Sequence, residues 1–482
     1  MDYKKIGLKC GLEIHRQLDT EHKLFCNCST KMLEKTPLTI VKRKQHPVAS
    51  ELGKVDVAVQ YEFLRDRTFH YQVFSEEDCL VESDEEPIHA LDQEALDIAL
   101  QIALLLNCRI PEELHIMRKT VIDGSNTSAF QRTLIVGLDG YIEYNEKKVE
   151  ITHVALEEDA ASIVEEDEKN RTYKLNRLGV PLVEIGTGLL IGYTPEEVEE
   201  IAYLIGMTCR STGKVKRGIG TVRQDVNVSI KNGPRVEIKG IQELGLISKV
   251  IQLEVQRQMS IPKVKKEVRA ANPDGTTKFT RPLPGAARMY PETDVPPIPI
   301  SKKTVRMVKK DLPESWIKKL KRLKKKLKLS DELAKQIIRS EYLELFEKIV
   351  KKYKVNPSVA ANVFVSILKD LKKRENIQVE NLEDKDFEEL FGLLKERKLM
   401  KEAIPDILKY KVKYPEQPMI VGVKKLGLQV ISNEELMRIV KEIIQKNKGM
   451  PEGKIIGLIM SQVRGRVKSE NVVRIVKRLL KS

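Results

Sequence analysis

Cysteine is scarce in this chain: six in 482 residues do not lay out a disulfide framework, which excludes the stapled secreted class. No apolar run is long enough to span a bilayer. The opening MDYKKIGLKCGLEI reads as a charged strand start, not as a secretory leader. These absences predict a cytoplasmic protein with no membrane partner. No Ser-Lys or Cys-His constellation suited to nucleophilic catalysis stands out either. What is abundant is charge. Lys and Arg number 85 against 70 Asp and Glu, a net charge of +15, which points to a polyanionic partner. Hydrophobic residues at 41% suffice for cores, and the length implies roughly two to four domains.

Residues 219–240 organise the rest. IGTVRQDVNVSI and VEIKG alternate with period 2 around KNGPR, which predicts a hairpin. With 231–235 as the loop, Ile230 faces Val236, Val228 faces Ile238 and Asn227 faces Lys239. One face is then apolar, and the other gathers Asp225, Asn227, Glu237 and Lys239. A solvated sheet face is the bland alternative. The strand predicted over 6–15 repeats the pattern, with Leu12 and Ile14 on one face and Glu13 and His15 on the other. A carboxylate and an imidazole on one face suit a divalent metal.

Cys26 and Cys28 lack a second close cysteine pair, so they are expected as packing residues and not as zinc ligands. The polar stretch 118–133, RKTVIDGSNTSAFQRT, reads as a phosphate- or substrate-binding loop, and LEEDAAS places Glu157, Glu158 and Asp159 after apolar alternation. Glu184 sits inside an apolar run and requires a partner. Thr194 and Pro195 open a capped helix. The basic loop 214–220 is a further candidate for phosphate or RNA. Residues 262–299 read as a proline-rich structured loop or lid with Arg281, Arg288, Glu292 and Asp294 as polar handles.

At Ser301 the character changes. Residues 302–328 are rich in Lys and Arg over a helical pattern, and the remainder of the chain is helical and poor in glycine. The last helix, capped by Ser469, buries Val472, Val476 and Leu479. Its basic sides fit binding to a phosphate backbone.

GLEIH at 11–15, LEEDA at 156–160, LNRLGVPLVEI at 175–185, IGTVRQDVNVSI at 219–230 and VEIKG at 236–240 resemble the GatB/GatE family of tRNA-dependent amidotransferase subunits. SELGKVD at 50–56, NTSAFQRT at 126–133 and RPLPGAARMYPETDVPP at 281–297 resemble its archaeal GatE branch. The resemblance implies an α+β protein: a mixed-sheet cradle catalytic domain over 1–301, an all-α helical domain over 302–413, and a YqeY-like helical tail over 414–482. It implies ATP-dependent phosphorylation of the glutamyl side chain of Glu-tRNA(Gln), followed by displacement with ammonia. The ammonia comes from a partner glutaminase, GatD, through a protected channel, in a heterodimer that itself dimerises.

The resemblance also implies a Mg²⁺ site at Glu13, His15, Glu158, Asp225 and Glu237, with Lys239 on the substrate side. Glu158, Asp225, Glu237 and Lys239 are then the catalytic set. Arg118, Lys119, Arg223 and Lys239 are candidates for the ATP phosphates, since phosphoryl transfer depends on positioning and charge neutralisation. The chain departs from the family twice. The inserted domain resembling part of bacterial aspartyl-tRNA synthetase is missing near 260–278, and Lys174 replaces an acid common in bacterial relatives. Two alternatives remain. A GatB-type subunit would carry a zinc-ligating cysteine set, and a non-catalytic tRNA-binding protein would not keep the acidic set.

Overall fold

The computed structural model describes the chain except residues 33–35, 50–52, 219, 262–263, 286–288, 448, 464, 468 and 481–482. The expectations for Arg288 and for the cap at Ser469 fall outside the described residues and side chains. Two compact units are present, Met1–Trp316 and Ile317–Ser482. The first extends past the composition change at Ser301, because the Lys302–Lys310 helix packs on the Gln93–Leu105 helix.

The first unit is built on one mixed sheet of eleven strands. Ten of them are β1 (Lys9–Gln17), β2 (Ile116–Thr120), β3 (Phe130–Tyr144), β4 (Lys147–Glu158), β5 (Pro181–Thr187), β6 (Val222–Ser229), β7 (Val236–Ile241), β8 (Glu267–Ala271), β9 (Thr277–Pro282) and β10 (Met289–Pro291). Their order is β9-β8-β7-β6-β1-β5-β4-β3-β2-β10, antiparallel except for β7 with β8. A second sheet of four strands pairs Thr39–Arg43, Thr68–Val73, Asn170–Lys174 and Ser162–Glu166 around Phe69, Tyr71 and Tyr173.

Period-2 alternation decides which face of the large sheet is dry. Leu12 and Ile14 of β1 and Val226, Val228, Val236 and Ile238 of the hairpin are buried. Over them lie the Pro195–Arg210 helix, against β1, and the Ile247–Ser260 helix, against β6. The first of these starts where the sequence places it. Thr194 and Glu197 form a reciprocal capping box with Pro195 in the first turn. Val198, Ile201, Ala202 and Ile205 give it one apolar stripe.

Three expectations shift. The strand predicted over 6–15 runs Lys9–Gln17, because Tyr3–Ile6 forms a helical turn closed by Gly7 at φ 69°. In the hairpin Val228 faces Val236, and Asn227 faces Glu237 instead of Lys239. The cause is a long-range contact: Lys231 N donates to Ile6 O at 3.0 Å, so Ile230 and Lys231 leave the ladder. A two-residue slip preserves parity, so the apolar and polar faces are those expected. Third, residues 262–299 are not one irregular loop. They supply β8, β9 and β10, with β8 and β9 joined by a tight turn at Gly275, φ 86°.

The second unit is helical. Tyr342, Phe364, Phe387 and Phe391 pack as an aromatic cluster. Residues from Ile431 to Val476 form a separate hydrophobic cluster, in which Val472 and Val476 are buried and Leu479 packs alongside. Among the described residues, no helix is long and apolar enough to cross a membrane.

Candidate active site

The polar face of the large sheet carries a cavity of about 550 Å³. β1 lies between β5 and β6, and the register places Glu13 beside Asp225 and His15 between Glu184 and Arg223. A bulge in β6 between Gln224 and Val226 lets Asp225 reach both Lys239 and the next residue of β7. Asp225 Oδ1 accepts from Gly240 N at 2.9 Å, and Lys239 Nζ donates to Asp225 Oδ2 at 2.8 Å. Lys239 Nζ also lies 2.7 Å from Glu237 Oε1. Asn227 Nδ2 donates to Glu13 Oε1 at 3.3 Å.

Two donor sets result. Glu13, Asp225 and Glu237 each place an oxygen within 4.8 Å of the others, and so do ligand atoms of His15, Glu157 and Glu184. The first set is wholly carboxylate and suits Mg²⁺ or Mn²⁺, and the second adds an imidazole. Burial opposes ionisation of Asp225, but Lys239, His15 and Arg223 hold its carboxyl down to about 2. Burial raises Glu13, helped by Glu184, Glu237 and Asp225 and countered by Lys239. Glu184 is desolvated too, yet Lys119, His15 and His153 hold it well below the carboxylate range. Its oxygens bond His15 Nε2 and His153 Nε2, each at 3.1 Å. This is the partner that an acid in an apolar run requires.

Around the acids stands a basic rim. Lys119 Nζ lies 2.7 Å from Glu157 Oε1. Arg223 Nη1 donates to Asp159 Oδ1 at 3.3 Å, and Lys239, Arg235 and Arg281 complete the wall. Ser125, Asn126 and Gln131 add neutral polar groups. The arrangement suits a polyanion held by cations over carboxylates that take divalent metal.

The structure gathers Glu13, His15, Asp225, Glu237, Lys239, Lys119 and Arg223 at this cavity and removes two predicted members. Glu158 is buried on the opposite face, where its Oε1 accepts from Arg132 N at 2.8 Å. Successive strand residues point to opposite faces, so it is Glu157 that reaches the site. The same rule separates Arg118 from Lys119. Arg118 bonds Glu292 and lies 3.2 Å from Asp294, with its guanidinium 4.7 Å from the Phe130 ring. Glu292 and Asp294 are thus tethers of Arg118, and Arg281 stands 3.6 Å from Asp123.

Sequence reasoning missed Glu157, Glu184 as a site member, His153 and Asp123. A parity count along LEEDA finds the first. The expectation that Cys26 and Cys28 are packing residues rests on the lack of a second close cysteine pair in the sequence, and the fold adds neighbours to them. Cys79 and Glu82 join them, with all four ligand atoms within 4.8 Å. Three thiols and a carboxylate form a zinc-type donor set. Only the tertiary fold brings Cys79 there.

With this geometry the chain can be placed among known proteins. The GatB/GatE catalytic domain matches residues 8–306, and the GatB domain matches residues 344–480. The chain belongs to the GatB/GatE family. It is 36% identical over 628 residues to the glutamyl-tRNA(Gln) amidotransferase E subunit of Methanocaldococcus jannaschii, covering 100% of this chain and 99% of that protein. To the corresponding proteins of Saccharolobus solfataricus and Thermococcus gammatolerans it is also 36% identical, over 633 and 623 residues. Those matches cover 100% and 99% of this chain and 98% of each relative. The Methanocaldococcus match extends over 628 residues where this chain has 482. That relative therefore carries residues this chain lacks.

Proposed function

We propose that this chain is the kinase and transamidase subunit of a tRNA-dependent amidotransferase, converting Glu-tRNA(Gln) to Gln-tRNA(Gln). A side-chain carboxylate is a poor electrophile. Its oxygen attacks the γ-phosphorus of ATP, ADP leaves, and the γ-glutamyl phosphate forms. Ammonia then attacks the carbonyl carbon, the C–O bond to phosphate breaks, and the products are the amide and inorganic phosphate, which takes the proton that ammonia loses. The observation that carries this reading is the single cavity in which two acidic donor sets face a rim of Lys119, Arg223, Lys239 and Arg281.

Glu13, Asp225 and Glu237, and separately His15, Glu157 and Glu184, are the residues that would hold divalent cations. Such ions, when bound, neutralise charge on the transferring phosphoryl group. Lys239 and Arg223 orient phosphate oxygens, and their charge lowers the cost of bringing a polyanion over an acidic floor. Asn126 and Gln131 offer neutral donors and acceptors for the glutamyl end. We assign ammonia supply to a separate glutaminase, GatD, in a heterodimer that dimerises, and we place the missing inserted domain near 260–278.

The test is ATP hydrolysis by the purified chain with Mg²⁺ and Glu-tRNA(Gln), with ammonium chloride or GatD plus glutamine as the nitrogen source. Hydrolysis that needs charged tRNA and is lost in folded Asp225→Asn and Glu237→Gln supports the reading. Binding of tRNA without hydrolysis supports a non-catalytic tRNA-binding protein instead. The cluster of Cys26, Cys28, Cys79 and Glu82 favours a second reading, a GatB-type subunit that also serves Asp-tRNA(Asn). Amidation of Asp-tRNA(Asn) would decide for it.

A further inference from the structure

The two oxygens of Glu184 are held from opposite sides. His15 of β1 bonds Oε2 and His153 of β4 bonds Oε1, each through Nε2 at 3.1 Å. An ionised carboxylate only accepts, so both imidazoles donate at these contacts. Their situations differ. His15 lines the cavity and belongs to the donor set of His15, Glu157 and Glu184. His153 is half-buried and does not line the cavity, so whatever it does for the site it does through Glu184.

The sheet locks the His153 ring. β4 and β5 pair Gly186 with His153, and a Cβ at Gly186 would stand 2.3 Å from His153 Cε1. The imidazole therefore lies across β5 where a side chain at 186 would be. Thr152 Oγ1 is 3.0 Å from His153 Nδ1 and donates to Gly186 O at 3.1 Å. That contact ties one ring nitrogen to the backbone of β5. Glu184, two residues before Gly186 and on the same face of β5, meets the other nitrogen. Ring and carboxylate have no freedom to part.

The consequence concerns which oxygen can take a metal. Oε1 is engaged by an N–H donor that stands outside the cavity lining. Oε2 faces the donor set, because Lys119 Nζ lies 2.7 Å from Glu157 Oε1 and 3.6 Å from Glu184 Oε2. A cation held by His15, Glu157 and Glu184 is therefore offered one oxygen of Glu184. Ca²⁺ takes carboxylates through one oxygen or both, in a large and flexible shell, whereas Mg²⁺ requires a near-ideal octahedron of shorter bonds. A carboxylate confined to one oxygen suits the octahedron and denies Ca²⁺ its second bond.

We propose that His153 is a positioning residue that restricts Glu184 to one-oxygen coordination and so makes this donor set select Mg²⁺ or Mn²⁺ over Ca²⁺. The inference deepens the reading of the cavity as a divalent-cation site for phosphoryl transfer, and rests on it.

The test is binding of Mn²⁺ to the full chain without nucleotide or tRNA, read from the electron paramagnetic resonance of the free ion, with Ca²⁺ as competitor. Sites lost in Glu184→Gln are those that Glu184 serves. For these sites the ratio of the Ca²⁺ to the Mn²⁺ dissociation constant is compared among variants, since a change in local charge acts on both divalent ions alike. In His153→Ala the ratio is expected to fall about tenfold, because the freed Oε1 can join Oε2 on Ca²⁺. His153→Gln keeps an N–H donor and is expected to stay near wild type. Thr152→Val loosens the ring without removing it, and a fall of a few-fold is expected. Thermal melts establish which variants are folded; if His153→Ala is not, Thr152→Val decides. An unchanged ratio, with both affinities intact or falling together, overturns the proposal. So does a Gln variant that matches Ala, or the absence of any Mn²⁺ site that depends on Glu184. The catalytic reading fails in a different assay, the tRNA-dependent hydrolysis of ATP, so the two failures are distinguishable.

Discussion

Lys239 and Asp225 meet at 2.8 Å across a β-bulge, and the same ammonium lies 2.7 Å from Glu237. Burial lowers the tendency of Lys239 to stay charged, but Asp225, Glu237 and Glu13 raise its pKa well above the ordinary lysine value. These carboxylates favour its charged form. Lys239→Met is expected to lower kcat for tRNA-dependent ATP hydrolysis by about 10²-fold or more. The side chain is 37% exposed, so solvent screening limits the stability loss to about 1 kcal/mol. Steady-state kinetics beside a thermal melt separates the two effects, and a large melt shift with little change in kcat contradicts the assignment.

Adjacent acids on β4 have opposite fates. Glu157 bonds Lys119 in the cavity, whereas Glu158 is buried with Arg132 on the other face. Glu157→Gln is expected to cut activity by about 10²-fold with a small change in stability. Glu158→Gln is expected to leave kcat within a few-fold while lowering Tm, because it weakens a buried pair. If Glu158→Gln is the variant that loses activity, the face assignment is wrong.

Acid stability has a named contributor away from the cavity. Desolvation opposes ionisation of Glu292, but Arg118, the Asp294 backbone N–H and Arg132 hold it at about 2, below its ordinary 4.5. A depressed carboxyl stabilises the fold fully above pH 4.5, and the contribution is lost as pH falls through about 2. Glu292→Gln should destabilise the first unit by about 3 kcal/mol at pH 7. The difference from wild type should shrink toward pH 2. Urea unfolding at several pH values measures it; a difference independent of pH refutes the ion-pair origin.

Parity made the polar face legible in the sequence. Glu13, His15, Asp225, Glu237 and Lys239 follow from alternation alone, and a two-residue slip in the hairpin left their faces unchanged. Parity also exposes where motif reasoning went astray: Glu158 and Arg118 each sit one residue from the side chain that reaches the site. Other features depend on tertiary packing. Glu184 needs β1 and β4 on its two sides before His15 and His153 can share it. Cys79 joins Cys26 and Cys28 only through the fold. The slip itself arises from a backbone bond between Lys231 and Ile6, which no local pattern encodes.

The proposed chemistry stands or falls on attack of the glutamyl carboxylate on the γ-phosphorus of ATP in this cavity. Oxygen transfer reports on that step. Glu-tRNA(Gln) carrying ¹⁸O in the side-chain carboxylate is converted by the chain with unlabelled ATP, Mg²⁺ and ammonium chloride, and the released phosphate is analysed by mass spectrometry. One ¹⁸O per phosphate released with product is the predicted result. Phosphate without ¹⁸O, formed alongside Gln-tRNA(Gln), would contradict it.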